Sequence, residues 1–138
     1  RVLAPDDSKY TRKVANDDSL VLELEYENRR ILLAGDAELK SEEGLVKNYA
    51  AAKLDILKVA HHGSKTSTSQ EFLDHFKPQM AVISVGRHNW FGHPHPKVLS
   101  ELRGHHATVL RTDLVGTIRI IIDDEIKVDA FSWQHYSD

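Results

Sequence analysis

Cysteine is absent from the 138-residue chain. Its absence excludes disulfide bonds and thiolate zinc sites, and it leaves imidazole and carboxylate side chains as the ligands for any metal ion. The chain also lacks an apolar run near the roughly 18 to 20 residues of a membrane helix, and its N-terminus lacks the charged and apolar regions of a signal peptide. The sequence on its own therefore predicts a soluble segment.

A strong excess of charge is missing as well. The formal net charge is −3 and the sequence pI is about 6.3. Non-specific nucleic-acid binders use a broad positive field, so any contact of this chain with a polyanion must be local or depend on metal ions. The length suits one compact domain, and we treat residues 1–138 as a single unit.

The hydrophobic pattern predicts an α/β fold with a mixed sheet and flanking helices. Residues 19–26 and 29–35 form a predicted hairpin, and apolar runs at 55–60 and 80–85 predict two further strands. The other predicted elements are a short opening strand at 1–5, a polar loop at 6–18, helices at 41–52 (capped by Ser41), 70–76 and 96–102, and closing strands at 107–112, 116–122 and 126–131. Because the opening strand begins abruptly, we expect residues 1–138 to be part of a larger domain.

Candidate chemistry follows the ends of three predicted strands. Asp36 follows one strand, His61 and His62 follow the next, and a loop at 86–95 with His93 follows the third. Ligands of open α/β sheets gather at the carboxyl ends of strands. Imidazole and carboxylate are zinc ligands, and one carboxylate can bridge two ions. These residues therefore predict a metal site.

Structural interpretations compete with each of these signals. Asp36 alone is explained by a turn, since Gly-Asp after a strand is common there. His61 and His62 are harder to explain by packing, because adjacent side chains on a strand point to opposite faces. The sequence supports two interpretations of His93 equally, a ligand role and a rigid turn before proline.

The remaining polar and aromatic groups favour structural interpretations or stay open. A turn is favoured over a ligand role at His95 more strongly than at His93. The His105-His106 pair indicates a solvent-exposed connection. The Ser/Thr run at 66–69 indicates the start of a helix. Trp90 and Phe91 fit base stacking or a cap over the core. Gly-x-Ser-x-Gly and the phosphate-loop motifs are absent, which disfavours a serine hydrolase and nucleotide-binding folds.

Six short stretches together form a recognisable order. They are residues 16–22 (NDDSLVL), 31–37 (ILLAGDA), 57–64 (LKVAHHGS), 81–86 (AVISVG), 89–94 (NWFGHP) and 111–116 (RTDLVG). This order resembles the C-terminal metallo-β-lactamase-like domain of ComEC competence proteins, which take DNA across the bacterial inner membrane. The resemblance implies part of an αββα sandwich and a metal-dependent hydrolase, with a DNA phosphodiester as substrate.

The resemblance also implies roles for individual residues. Asp36 takes the position of the bridging metal ligand and His62 that of a ligand to the second metal, with Zn or Mn as the ions. His61 would face the scissile phosphate or assist the leaving group. His93 and Asn89 lie in the loop where such enzymes contact substrate, and Ser64 could donate a hydrogen bond to a phosphate.

Two departures from the family pattern limit these roles. The family's first metal motif, His-x-His-x-Asp-His, appears nowhere in the chain, and Asn16 stands where a further histidine is usual. We therefore expect residues 1–138 to be the C-terminal half of the domain. Alone, this half should bind metal weakly or not at all, should be inactive, and could self-associate through an unpaired sheet edge.

Three functions follow from that position. In the first, the parent is a nuclease of the bacterial cell membrane, with DNA as partner and with this soluble domain attached to the membrane channel. In the second, the segment is a non-catalytic module that positions DNA or docks on the channel, with a degenerate metal site. In the third, the parent is a stand-alone hydrolase of small phosphoesters or lactones.

Overall fold

The computed structural model describes residues 1–5 and 16–131, whose centre is a six-stranded mixed sheet. Its strands lie in the order in which they occur in the chain: β1 (Val2–Ala4), β2 (Val21–Tyr26), β3 (Arg29–Leu33), β4 (Ile56–Lys58), β5 (Met80–Ile83) and β6 (Thr108–Arg111). The first three strands pair antiparallel, and β3 to β6 pair parallel. The α/β class and the mixed sheet predicted from the sequence are confirmed.

Three helices connect the parallel strands. They are α1 (Leu39–Asn48), α2 (Gln70–Phe76) and α3 (Pro96–Gly104), and a single-turn helix α4 (Thr112–Val115) follows β6. Successive crossovers that move in one direction along a sheet place their helices on the same face. The chain then ends its described part with a separate hairpin of β7 (Thr117–Ile122) and β8 (Ile126–Phe131).

The hairpin of β2 and β3 forms as its sequence predicts. Tyr26 pairs with Arg29 across a two-residue turn. The turn residues Glu27 and Asn28 have φ values of 47° and 61°. Positive φ at both positions matches the type I′ turn, whose twist suits a tight hairpin.

The two faces of the sheet differ in burial. On the helix side, Leu32, Leu57 and Ala81 lie side by side in register and belong to the buried core, together with apolar residues of the helices. The neighbouring positions point to the other side, where Leu24 is 46% exposed and Val82 is partly exposed, while Ile31 and Ile56 are buried. Only one face of this sheet is therefore covered by helices of the described residues.

The start of α1 differs from the prediction. The helix begins at Leu39 with Glu38 at the N-cap, so the prediction that Ser41 caps it was wrong. The cap comes from a distant residue: Asp17 accepts hydrogen bonds from the backbone N–H groups of Glu38 (3.2 Å) and Ser41 (3.0 Å). A carboxylate at this point also suits the positive end of the helix dipole.

The polar loop predicted over residues 6–18 lies mostly outside the described ranges, apart from a short 3-10 turn at Asn16–Asp18. The three predicted closing strands all form, but β6 joins the main sheet while β7 and β8 pair with each other. None of the helices in residues 1–5 and 16–131 is long and apolar enough to cross a membrane.

Candidate active site

The predicted site residues meet at one edge of the sheet. Asp36 follows β3, His61 and His62 follow β4, and the loop with His93 follows β5. These three strands are parallel neighbours, so their carboxyl ends share that edge. The structure thus brings together groups that lie far apart in the chain.

A left-handed turn carries the two adjacent histidines. His61, His62 and Gly63 have φ values of 45°, 54° and 81°. Such values are costly for residues with a side chain, and they persist where surrounding contacts impose them. Here the N–H of His61 donates to the carbonyl of Gly35 (3.1 Å), and Gly63 packs so closely on Pro94 that an added Cβ would lie 2.7 Å from the proline Cβ.

Because of this turn, the two imidazoles have different neighbours. The ring of His62 hydrogen-bonds through Nδ1 to the carbonyl of Ser84 at 2.6 Å. A ring nitrogen that close to a carbonyl oxygen carries a hydrogen, and in the neutral tautomer this leaves the lone pair on Nε2. That Nε2 lies 3.9 Å from Oδ1 of Asp36, and both side chains are about half exposed.

The pair of Asp36 and His62 fits two ligands of one metal ion. Ligand bonds of about 2.0 to 2.2 Å in tetrahedral geometry separate two donor atoms by about 3.3 to 3.6 Å. The observed 3.9 Å is close to that spacing. Within the described part of the chain, however, no group of three histidine or acidic side chains could hold an ion. The residues present therefore fit part of a metal site, and a tight site needs donors from elsewhere.

His61 forms a second unit with Glu38. Oε1 of Glu38 lies 3.1 Å from Nδ1 of His61 and accepts hydrogen bonds from Oγ1 of Thr66 (2.8 Å) and Nδ2 of Asn16 (3.2 Å). The hydrogen bonds from Thr66 and Asn16, with a smaller effect of His61, lower the pKa of Glu38. An ionised carboxylate at Nδ1 fixes the ring and leaves Nε2 as the nitrogen that can exchange a proton.

Sequence reasoning missed Glu38. A signal was present, because Glu38 follows Asp36 by two residues just after a strand end. Its contact with His61 depends on the left-handed turn, which no pattern in the sequence indicates. Asn16, where the resemblance implies a histidine, lies beside this unit, with Nδ2 3.4 Å from Nδ1 of His61.

His93 lies against the same cluster. Its ring centroid is 5.7 Å from that of His61, and it stacks on Phe91 with centroids 5.9 Å apart. Burial and then the neighbouring His61, His62 and His95 lower the pKa of His93. The lowered pKa favours the neutral ring, which can donate one hydrogen bond and accept another.

Asn89 and Ser64 have structural contacts in this arrangement. The amide of Asn89 donates to the carbonyls of Gly86 (3.1 Å) and His93 (2.8 Å) and accepts from the N–H of His93 (2.9 Å). Ser64 is 6% exposed, and its hydroxyl hydrogen-bonds to Thr66 at 3.0 Å. The substrate contacts predicted for these two residues stay predictions.

The other histidines and hydroxyls support the fold. His95 caps α3 by accepting from the N–H of Lys97 at 3.2 Å, and Ser69 caps α2, as predicted for the Ser/Thr run. His105 is less exposed than predicted and pairs with Asp74 at 3.1 Å, whereas His106 is exposed. His135 lies outside the described residues.

The profile of the metallo-β-lactamase superfamily matches residues 2–87, which include Asp36 and the His61-His62 turn. The chain belongs to this superfamily. The match agrees with a mixed sheet whose functional groups follow its strands, and it confirms the fold class predicted from the sequence. Members of the metallo-β-lactamase superfamily generally bind metal ions, which is consistent with the partial site at Asp36 and His62.

Three relatives of this metallo-β-lactamase domain carry competence or recombination names. The chain is 43% identical to the ComE operon protein 3 of Bacillus subtilis over 86% of its own length, 38% identical to Recombination protein 2 of Haemophilus influenzae over 76%, and 35% identical to Competence protein ComA of Neisseria gonorrhoeae over 86%. It spans 15%, 13% and 18% of the lengths of these relatives, respectively. The resemblance to competence proteins is thus confirmed.

Proposed function

We propose that the chain is the C-terminal half of a metal-dependent phosphodiesterase domain that acts on DNA within a larger competence protein. The observation that carries the proposal is the orientation of His62, whose Nδ1 is held by Ser84 while Nε2 faces Asp36. A ring held in this way is prepared for a metal ion. The competence names of the relatives support DNA as the substrate.

The sheet supports the proposal that a second half exists. Helices cover one face, while on the other Leu24 is exposed and Leu33 and Val82 are partly exposed. Parallel sheets are usually covered on both faces, because both faces carry apolar side chains. A second sheet packed on this face would complete an αββα sandwich and would bring the missing metal ligands to the same edge.

In the complete domain, Asp36 and His62 would hold divalent cations, either Zn or Mn. Such ions supply positive charge to phosphate oxygens and activate water for attack. Glu38 orients His61, whose Nε2 would donate a proton to the leaving oxygen of the phosphodiester. The ring of His93 would contact the phosphate, and Asn89 would hold the loop that carries His93. Ser64 could donate a hydrogen bond to the phosphate only after its hydrogen bond to Thr66 is broken.

A second candidate is a non-catalytic module that positions DNA or docks on a membrane channel. Asn16 favours it, because this residue stands where the family usually has a histidine and its amide serves Glu38 instead. In both cases we propose a parent protein in the bacterial cell membrane, to which this domain is attached.

The test compares the 138-residue chain with a protein extended upstream by half a domain. Metal content and cleavage of single- and double-stranded DNA are measured with Mn²⁺ and with Zn²⁺. We expect about two ions and cleavage in the extended protein only. Asp36→Ala and His62→Ala should each lower its activity by at least about a hundredfold.

His106→Asn is the matched control, because it removes an exposed imidazole and asparagine tolerates the positive φ of 59° at that position. It should leave metal content and cleavage unchanged. Absence of metal from the extended protein would reject the hydrolase in favour of the module. Cleavage that survives both site substitutions would reject the assignment of Asp36 and His62.

A further inference from the structure

One segment of this acidic chain carries no acidic residue. Residues 75–100 contain Lys77, Arg87 and Lys97 with four histidines, and neither aspartate nor glutamate. The chain as a whole has 21 acidic residues against 18 lysines and arginines. The loop after β5 lies within this segment, so it has no carboxylate of its own to repel a phosphate, and the carboxylates at this edge include those of the candidate site, Asp36 and Glu38.

Two aromatic side chains project from the middle of this segment. Trp90 is 98% exposed and Phe91 is 82% exposed. The alternative that they cap the core is therefore wrong. Arg87 and His88, just before them, are exposed as well. We call Arg87, His88, Trp90 and Phe91 the aromatic tip.

The aromatic tip is held in shape from within. Asn89 spans the loop with hydrogen bonds to the backbone of Gly86 and His93, at 2.8 to 3.1 Å. The backbone of the loop is therefore held in place before any ligand arrives, which reduces the entropy that the loop loses on binding. An exposed tryptophan on a braced loop is available for contact with a flat partner.

A row of rings joins the aromatic tip to the candidate active site. His61 contacts His93 at 5.7 Å between centroids, and His93 stacks on Phe91 at 5.9 Å with 16° between the planes. His93 thus covers one face of the Phe91 ring, and most of the Phe91 side chain remains exposed to solvent. A base placed on that open side would continue the row outward from the site.

We propose that the aromatic tip binds single-stranded nucleic acid by stacking unpaired bases on Trp90 and Phe91, with Arg87 on the phosphates. This inference deepens the proposed function and rests on it for the role of the neighbouring site. Stacking needs a base whose faces are free, which a continuous duplex does not offer. The tip therefore selects strands with unpaired bases and holds their backbone beside His61 and His93.

The test measures binding without metal, so that cleavage plays no part. The anisotropy of a labelled 12-nucleotide oligothymidine is titrated with the 138-residue chain in EDTA. Trp90→Ala and Phe91→Ala should each weaken binding by about fivefold to a hundredfold, the range for loss of one stacked base. Trp90→Phe should restore most of the affinity, because it keeps an aromatic face.

Three matched controls make the result specific to stacking. Tyr26→Ala removes an exposed aromatic ring at the opposite edge of the sheet and should have no effect. An abasic oligonucleotide of the same length should bind more weakly and should not respond to Trp90→Ala. Arg87→Ala should reduce the salt dependence of binding, whereas Trp90→Ala should not.

Equal binding of the abasic and normal strands, or no effect of Trp90→Ala, would overturn the proposal. So would Trp90-dependent binding to phosphatidylglycerol vesicles with no oligonucleotide binding, because the tip would then be a membrane contact. A different result would reject the proposed hydrolase activity while leaving the stacking proposal intact. In that case the extended protein would bind strands through Trp90 and still cut no DNA.

Discussion

His105 links α3 to α2 through a pair of hydrogen bonds. Its Nδ1 lies 2.8 Å from the carbonyl of Glu101 and its Nε2 lies 3.1 Å from Asp74. The backbone bond to Glu101, followed by the hydrogen bond and charge of Asp74, raises the pKa of His105. The folded state therefore favours the protonated ring.

The stability from His105 should be present at acidic pH and lost as pH rises. A histidine whose folded pKa is raised stabilises fully below its unfolded pKa of about 6.5, and the effect disappears as pH passes the folded value. Asp74→Asn should lower the free energy of unfolding at pH 5.5 by a few tenths of a kcal/mol, since Asp74 is mostly exposed. Urea unfolding at pH 5.5 and 8.5 checks this. An equal loss at both pH values would contradict it.

The residue types and positions of much of the site could be predicted from the sequence. Asp36, His61, His62 and His93 each follow an apolar strand, and the rule for strand ends places such groups together. Glu38 could not be predicted, because its role depends on which ring it touches. For Asn89 the motif predicts a substrate contact, whereas in the structure its amide hydrogen-bonds to the backbone of its own loop.

The turn at His61 to Gly63 is the element on which the site depends. An alanine at Gly63 would have to adopt φ near 81° and would meet Pro94, with Cβ 2.7 Å from the proline Cβ and 3.2 Å from its Cα. Left-handed backbone costs about 1 to 2 kcal/mol for a residue with a side chain. The contact with backbone adds to this cost, because backbone moves less easily than a flexible side chain.

Gly63→Ala should therefore destabilise the chain by more than about 2 kcal/mol. Gly44→Ala is the matched control: Gly44 lies inside α1 with no atom within 4 Å of an added Cβ, so this change should stabilise by about 0.5 to 1 kcal/mol. Urea unfolding of both variants gives the two signs. A neutral Gly63→Ala would mean that the close contact with Pro94 yields easily.

Most elements could be predicted, because their apolar patterns and turn residues agree with the fold. The bounds of α2 match the prediction, and Pro96 begins α3 as expected. The start of α1 could not be predicted, since Asp17 caps it from another part of the chain. The short helix α4 also lacked a signal, because four residues show no periodicity.

The uneven sheet determines the expected behaviour of the whole molecule. Leu24 is exposed on the face without helices, where Leu33 and Val82 are partly exposed, although Ile31 and Ile56 in register with Leu24 are buried. Exposed apolar area of this kind favours association. We expect the 138-residue chain to form dimers or larger species at high concentration, and Leu24→Lys to shift the distribution toward monomer.

Sedimentation velocity over a range of concentrations measures this distribution. Leu39→Lys is the matched control, because Leu39 is similarly exposed but lies on α1, away from the open face. It should leave the distribution unchanged. A monomeric profile at high concentration would show that the open face does not drive association, and an equal effect of both variants would assign association to another surface.

The order of the strands has a consequence for how the chain reaches its structure. Every strand of the six-stranded sheet pairs with the strand that precedes or follows it in the chain. The cost of closing a loop rises with its length, so pairing with the neighbour in sequence closes the shortest loop available to each strand. The parallel pairs still join residues 24 to 28 positions apart, as between Leu57 and Ala81 or Ala81 and Val109. As the chain leaves the ribosome, β2 and β3 can pair first, and each later strand finds its neighbour already in place. Assembly of this sheet can thus proceed from its N-terminal to its C-terminal edge during synthesis.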